Sequence, residues 1–132
     1  MREILFRGKG DKKYNDGMWY FGVPIRCYDG DWQICTDNSK RTVIPETVGQ
    51  YTGLKDKNGT KIFEGDIIYA ASKLDAADMV VVYNSAEFRL VLCEDYKTYK
   101  PGLGFKCYER FNMQVIGNIY DNPELLEGNN NG

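Results

Sequence analysis

The fold is decided by residues 48–69, which read VGQYTGLKDKNGTKIFEGDIIY. Two stretches of apolar and aromatic residues flank Asn58-Gly59, the residue pair that favours a tight β-hairpin most strongly, because both turn positions need positive φ. Glu64, Gly65 and Asp66 then predict a sharp corner, and residues 67–69 form an apolar run after it. The segment therefore predicts a hairpin that feeds a buried strand.

Residues 1–47, upstream of this segment, alternate short strand-like stretches with turns. Residues 18–28 are aromatic and β-branched, and Asp29-Gly30 has the composition of a two-residue hairpin turn. Such a turn would place Trp32 opposite Cys27 on the returning strand. We expect a meander of short strands here.

Residues downstream of the hairpin also predict strands. Residues 79–83 form a continuous apolar run, which is typical of a strand covered on both faces. Residues 87–93 and 114–120 predict two further strands, and Asn122-Pro123 resembles a cap and first helical position. Residues 94–112 predict a long mixed loop with a flexible centre.

We therefore predict a mainly β fold: an N-terminal strand meander (residues 1–47) packed on a small SH3-like β-barrel (residues 48–126), with one short C-terminal helical turn. Residues 127–132 predict a frayed polar tail. The expected barrel core consists of Ile62, Phe63, Ile67, Val80, Val82, Phe88, Leu90, Val115, Ile116 and Ile119.

Composition narrows the classes of function. The chain has 132 residues, of which 42% are hydrophobic and 27% charged, as in an ordinary folded domain. Its net charge of −2 argues against strong non-specific binding to nucleic acid, which needs a basic surface. No signal peptide or long apolar segment is readable, so we expect a cytoplasmic protein that does not enter a membrane.

The residue types argue against an enzyme. There is no histidine, which excludes Cys-His and Ser-His-Asp catalysis. Glu64 and Asp66 could form an acid/base pair, but corner residues that accept hydrogen bonds from backbone amides are the better interpretation. The spacing of the four cysteines, Cys27, Cys35, Cys93 and Cys107, is irregular. We expect buried reduced thiols, with no disulfide, metal or cofactor.

Four strings of the sequence resemble the YopX family of phage and prophage proteins. They are MREI with Phe6-Arg7 at the start, residues 44–59 (IPETVGQYTGLKDKNG), residues 62–67 (IFEGDI) and residues 115–126 (VIGNIYDNPELL). The resemblance spans nearly the whole chain. It implies a small, mostly β protein encoded by phages or integrated elements, and it implies no catalytic residues.

Aromatic and basic residues around the hairpins are the remaining candidates for a binding site. Our leading hypothesis is a non-enzymatic accessory protein that binds a host or phage protein through exposed aromatic side chains and strand edges. The alternative is a small β module that binds nucleic acid by stacking and cationic contacts, which needs Arg26 or Arg41 on the same face. The oligomeric state stays open. The candidate site residues are Trp19, Trp32, Tyr51, Lys55, Lys57 and Lys61.

Overall fold

The computed structural model describes residues 3–13 and 17–127. These residues form a mainly β structure with antiparallel sheets and short 3₁₀ turns. They divide into two compact units, the first ending at Gly53 and the second beginning at Leu54. The domain bounds at residues 47 and 126, and the packing of meander on barrel, stay predictions.

The first unit is an antiparallel meander, in which the strands follow the order β4-β3-β2-β1-β5. A bridge between Gly10 and Val43 joins the end of β1 to β4, so the sheet curls around its buried residues Ile34 and Val43. The elements are β1 (Phe6–Lys9), β2 (Trp19–Arg26), β3 (Trp32–Cys35), β4 (Lys40–Val43), the 3₁₀ turn η1 (Pro45–Thr47) and β5 (Gly49–Lys55), whose last two residues belong to the second unit.

The second unit contains a five-stranded antiparallel sheet of order β10-β9-β8-β7-β11. The strands of this sheet are β7 (Asp66–Ala71), β8 (Ala76–Asn84), β9 (Glu87–Leu92), β10 (Leu103–Gly104) and β11 (Asn112–Asn118). The second unit also contains the short strand β6 (Lys61–Phe63), outside this sheet, and the 3₁₀ turns η2 (Cys93–Thr98), η3 (Phe105–Tyr108) and η4 (Pro123–Glu127). The predicted loop at residues 94–112 is thus largely ordered into η2, β10 and η3.

The sheet of the second unit buries side chains on both faces, as the apolar run at residues 79–83 predicted. Met79 and Val81 pack in one hydrophobic cluster, and Val80 packs in another with Ile67. Most of the predicted core residues are buried or half-buried. Ile116 is the exception, at 37% exposed, because the register of β11 shifts at this residue and turns it outward.

The prediction of a closed SH3-like barrel is wrong for the described residues. β10 and β11 are the two edges of the five-stranded sheet. β10 has only two residues, and the outer side of β11 is occupied by a turn: the Lys57 amide donates to the Met113 carbonyl at 3.0 Å, and the Val115 amide donates to the Asp56 carboxylate at 2.9 Å. The two edges therefore do not pair.

Both glycine-containing hairpin turns are one residue longer than predicted. The Cys27 amide donates to the Asp31 carbonyl and the Asp56 amide to the Thr60 carbonyl, both at 2.8 Å, so each loop has three residues. The predicted positive φ is confirmed for Gly59, at 84°, but it is wrong for Asn58. A type I turn closed by one left-handed glycine explains both loops. Trp32 consequently pairs with Arg26 and not with Cys27.

The predicted C-terminal helical turn is present as η4, which begins at Pro123. Asn122 directly precedes this turn, and its carbonyl accepts a hydrogen bond from the Leu125 amide at 3.0 Å, while its side-chain oxygen accepts one from the Asn118 amide at 3.2 Å. Glu127 of the predicted tail lies in η4 and contacts Lys97 at 3.0 Å. The rest of that tail, residues 128–132, lies outside the described residues.

Candidate functional site

A groove of about 430 Å³ lies within the second unit and is the strongest candidate for a binding site. Ile62 and Met113, both part of the hydrophobic core or packed against it, contribute to its lining. Leu54, at 45% exposed, adds apolar surface that is open to solvent. The groove is therefore a concave surface continuous with the core.

Asp56 holds one side of the groove in place. Its Oδ1 atom accepts hydrogen bonds from the amides of Asn58 and Thr60, at 2.8 and 2.9 Å, and its Oδ2 atom accepts one from Val115. The residue is only 8% exposed. Burial alone would raise the pKa of this carboxyl. The hydrogen bonds from the amides of Val115, Thr60 and Asn58, and to a smaller extent the charge of Lys57, lower the pKa by more than burial raises it, so the pKa is below its usual value.

Another part of the groove lining is aromatic. Phe105, Tyr108 and Phe111 recur every three residues, the period of a 3₁₀ helix, and all three pack partly against the core. Tyr108 and Phe111 meet edge to face, with ring centroids 5.3 Å apart. Burial, with a smaller effect of Cys107, raises the pKa of the Tyr108 phenol, which therefore stays a neutral hydroxyl at physiological pH.

Three exposed lysines give the groove a positive rim. Lys55 and Lys57 come from the end of β5 and the turn after it, and Lys106 comes from η3. Two carboxylates also line the groove, but that of Asp56 already accepts three hydrogen bonds from backbone amides. Only Glu109 offers an exposed carboxylate. The groove thus joins aromatic and aliphatic surface to an excess of ammonium groups.

Only part of the predicted site belongs to this groove. Lys55 and Lys57 line it, whereas Lys61 is half-buried on β6 and is not among the lining residues. The predicted aromatic residues lie in the first unit. Of these, Tyr51 is only 4% exposed, so its ring offers no stacking face.

The two predicted tryptophans do not form a common surface. Trp19 is half-buried beneath the guanidinium of Arg7, 4.6 Å from the ring centroid. Trp32 pairs with Arg26, and an odd number of positions separates Arg26 from Trp19 along β2, so the indoles lie on opposite faces of the sheet. The guanidinium of Arg41 lies 5.5 Å from the Tyr20 ring.

A second exposed apolar surface lies on β2 in the first unit. Phe21, Val23 and Ile25 alternate along the strand and are all exposed, so they share one face. The three side chains form a solvent-exposed stripe along the strand. It is an exposed patch of the kind that can contact another protein.

The acidic and cysteine residues that the sequence offered as candidates for catalysis or metal binding include two buried ones, Asp66 and Cys93. Asp66 is 2% exposed and accepts a hydrogen bond from the Phe63 amide at 2.7 Å, which confirms its predicted role at the corner. Cys93 is buried, and its burial, with a smaller effect of Asp78, raises the pKa of the thiol to about 11. The prediction of four buried thiols is otherwise wrong, because Cys27 and Cys35 are half-buried and Cys107 is exposed.

The described residues were also compared with the requirements of a metal site and of a membrane-spanning helix. Within residues 3–13 and 17–127, no group of three or more histidine, cysteine, aspartate or glutamate side chains converges as a metal site would need. In the same ranges no helix has the length and apolar character to span a membrane.

Phe105, Lys106, Tyr108 and Phe111 are the functional candidates that sequence reasoning missed. They lie about fifty positions from Lys55, and residues 94–112 predicted only a loop. The spacing of three between the aromatic residues was the available indication, because it is the period of a 3₁₀ helix; in the structure η3 contains Phe105 and Tyr108, and Phe111 follows it.

Comparison with known proteins supports the fold and the family. None of the curated proteins matches this sequence. The structure resembles the crystal structure of protein EF1440 from Enterococcus faecalis, with a TM-score of 0.52, 24% identity, and coverage of 96% of this chain and 99% of that one. This likeness indicates a shared fold. The sequence pattern of the YopX protein family matches residues 8–127, and the chain belongs to this family.

Proposed function

We propose that this YopX-family chain is a non-enzymatic, phage- or prophage-encoded accessory protein that binds another protein through the groove of the second unit. The observation that carries the proposal is the combination of aromatic surface from η3 with three exposed lysines around one concavity. Apolar anchors surrounded by polar residues are the usual composition of a protein-binding surface. In this proposal the partner is a host or phage protein in the bacterial cytoplasm.

A catalytic role for the groove is a weaker interpretation of the same residues. Asp56, its buried carboxylate, already accepts three amide hydrogen bonds and has a lowered pKa, so it is poorly suited to carry a proton in a reaction. The Tyr108 phenol, with its raised pKa, is likewise poorly suited to act as a base.

The alternative occupant is a single-stranded nucleic acid, with bases on the aromatic rings and phosphates on the lysines. Tyr108 and Phe111 meet at an interplanar angle of 71°, so the edge of one ring points to the face of the other. Such a pair does not offer two parallel platforms for successive bases. The net charge of −2 also makes attraction of a polyanion to the whole chain weak.

Affinity capture from a bacterial lysate treated with nuclease tests the proposal. The bait proteins are the wild type, the groove variant Lys55→Glu/Lys106→Glu, and a control variant Lys12→Glu/Lys13→Glu, which makes the same charge change on exposed lysines of the first unit. We expect a protein that the wild type and the control retain and the groove variant loses. Equal capture by all three proteins contradicts the groove as the contact surface.

Labelled single- and double-stranded oligonucleotides complete the test at low and physiological salt. If the groove binds protein, the affinity for both oligonucleotides should be weak at low salt and undetectable at physiological salt, because a net charge of −2 gives little attraction to a polyanion. Sub-micromolar oligonucleotide binding that survives physiological salt, and that the groove variant abolishes, would replace the proposal by the nucleic-acid alternative.

A further inference from the structure

A second groove adjoins the first at Phe111, which lines both. This second groove has a volume of about 710 Å³ and lies between the turn at residues 72–75 and Arg110. Phe111 therefore forms a wall shared by the two grooves. Lys55 and Lys106 line the first groove, and Lys73 and Arg110 line the second.

The turn at residues 72–75 presents a leucine to solvent. The Ser72 amide donates to the Asp75 carbonyl at 2.7 Å, and the Ser72 hydroxyl oxygen accepts hydrogen bonds from the amides of Leu74 and Asp75. These bonds fix the turn, yet the Leu74 side chain is 97% exposed. A ligand that covers this side chain would remove its apolar surface from water, which favours binding.

The charges of the two grooves are complementary to an acidic ligand. The second groove adds the exposed cations Lys73 and Arg110 to the lysines of the first. Its carboxylate, Asp75, already accepts a hydrogen bond from the Ala76 amide at 2.9 Å. Five cationic side chains thus line a surface of a chain whose net charge is −2.

We infer that the ligand of this surface is an extended, acidic polypeptide segment in which carboxylates alternate with large apolar side chains, and that it crosses Phe111 to occupy both grooves. The inference rests on the proposed function and specifies its partner class. In an extended segment successive side chains point to opposite sides, so apolar residues reach the floor of the grooves while carboxylates face the cationic rim.

Peptide titration tests the inference directly. The probe is a fluorescein-labelled 12-residue peptide in which Glu alternates with Leu or Phe, and the matched control peptide has Gln in place of every Glu. We expect the Glu peptide to bind at least about tenfold more tightly than the Gln peptide, since only its carboxylates can pair with the cationic rim. Equal affinity for the two peptides contradicts the inference.

Protein variants then locate the peptide. Lys106→Glu changes the first groove, Lys73→Glu changes the second, and Lys12→Glu makes the same change in the first unit. We expect the first two each to weaken binding of the Glu peptide about fivefold, a typical effect for exposed ion pairs that are reversed. The double variant Lys73→Glu/Lys106→Glu should show about the product of the two effects, and Lys12→Glu should leave the affinity unchanged.

The outcomes separate this inference from the proposed function. If Lys73→Glu has no effect, the peptide does not cross Phe111, and the inference is wrong while groove binding stands. If the Glu peptide fails to bind but lysate capture still depends on Lys55 and Lys106, only the partner class is wrong. A 12-nucleotide single strand that binds more tightly than the Glu peptide at physiological salt would overturn both.

Discussion

In the first unit the guanidinium groups of Arg7 and Arg41 lie over the rings of Trp19 and Tyr20, at 4.6 and 5.5 Å from the ring centroids. In the second unit the lysines of the groove are exposed and line it together with Phe105, Tyr108 and Phe111. There the ring of Tyr108 contacts the ring of Phe111 edge to face. Both regions combine rings with cations, but the first uses the cations to cover its own rings. The lysines of the groove stay exposed beside its rings, where a ligand can reach them.

The comparison shows that composition alone does not identify a binding site. A cation that stacks on a ring at an exposed site contributes about 0.5–1 kcal/mol to stability, and the ring then occupies part of the cation's surface. A cation at the rim of a concave apolar surface contributes little to folding and is available for a partner. The following predictions test whether the two units differ in this way.

The largest expected effect concerns the two hairpin turns. Asp56→Ala removes the acceptor of three amides in the second unit and should lower the free energy of unfolding by about 2–4 kcal/mol. Asp29→Ala is the matched control, because Asp29 accepts a single exposed amide, that of Asp31, and its loss should cost less than about 1 kcal/mol. Denaturant unfolding followed by circular dichroism measures both. Equal losses would contradict the special role of Asp56.

The next effect is a pH dependence that belongs to the second unit. The pKa of Asp56 is lower in the folded protein than its ordinary value of about 3.8. Its contribution to stability is therefore complete above pH 3.8 and is lost as the pH falls through the folded pKa. The wild type should exceed Asp56→Asn in stability near neutral pH, and this difference should shrink below pH 3.8. A difference that stays constant down to the acid end of the titration would argue against an ionised Asp56.

The smallest effects separate stability from binding. Arg41→Gln should lower the free energy of unfolding by about 0.5–1 kcal/mol, through loss of its contact with Tyr20, and leave capture of the partner unchanged. Lys106→Gln should change stability by less than about 0.5 kcal/mol, since the side chain is exposed, and reduce capture. Thermal unfolding and quantitative capture of the same two variants provide the measurements. A reversal of this pattern would place the binding surface in the first unit.

The sequence predicted the strands better than the connections and the site. The apolar run at residues 79–83 predicted a strand buried on both faces because that pattern is local. The length of the turn at Gly59 was predicted wrongly because a glycine with positive φ fits both a two-residue loop and the last position of a three-residue loop. The groove brings together residues about fifty positions apart, so Lys55 was predicted without its aromatic neighbours.

The central claim is that the groove of the second unit, and not the ring surfaces or the exposed stripe of the first, contacts the partner. Backbone amide chemical shifts of the ¹⁵N-labelled full chain, followed during titration with the 12-residue Glu peptide, test it most directly. We expect the largest changes at Lys55, at Phe105–Tyr108 and at Phe111. Changes concentrated at Phe21, Val23 and Ile25, with the groove amides unmoved, would contradict it.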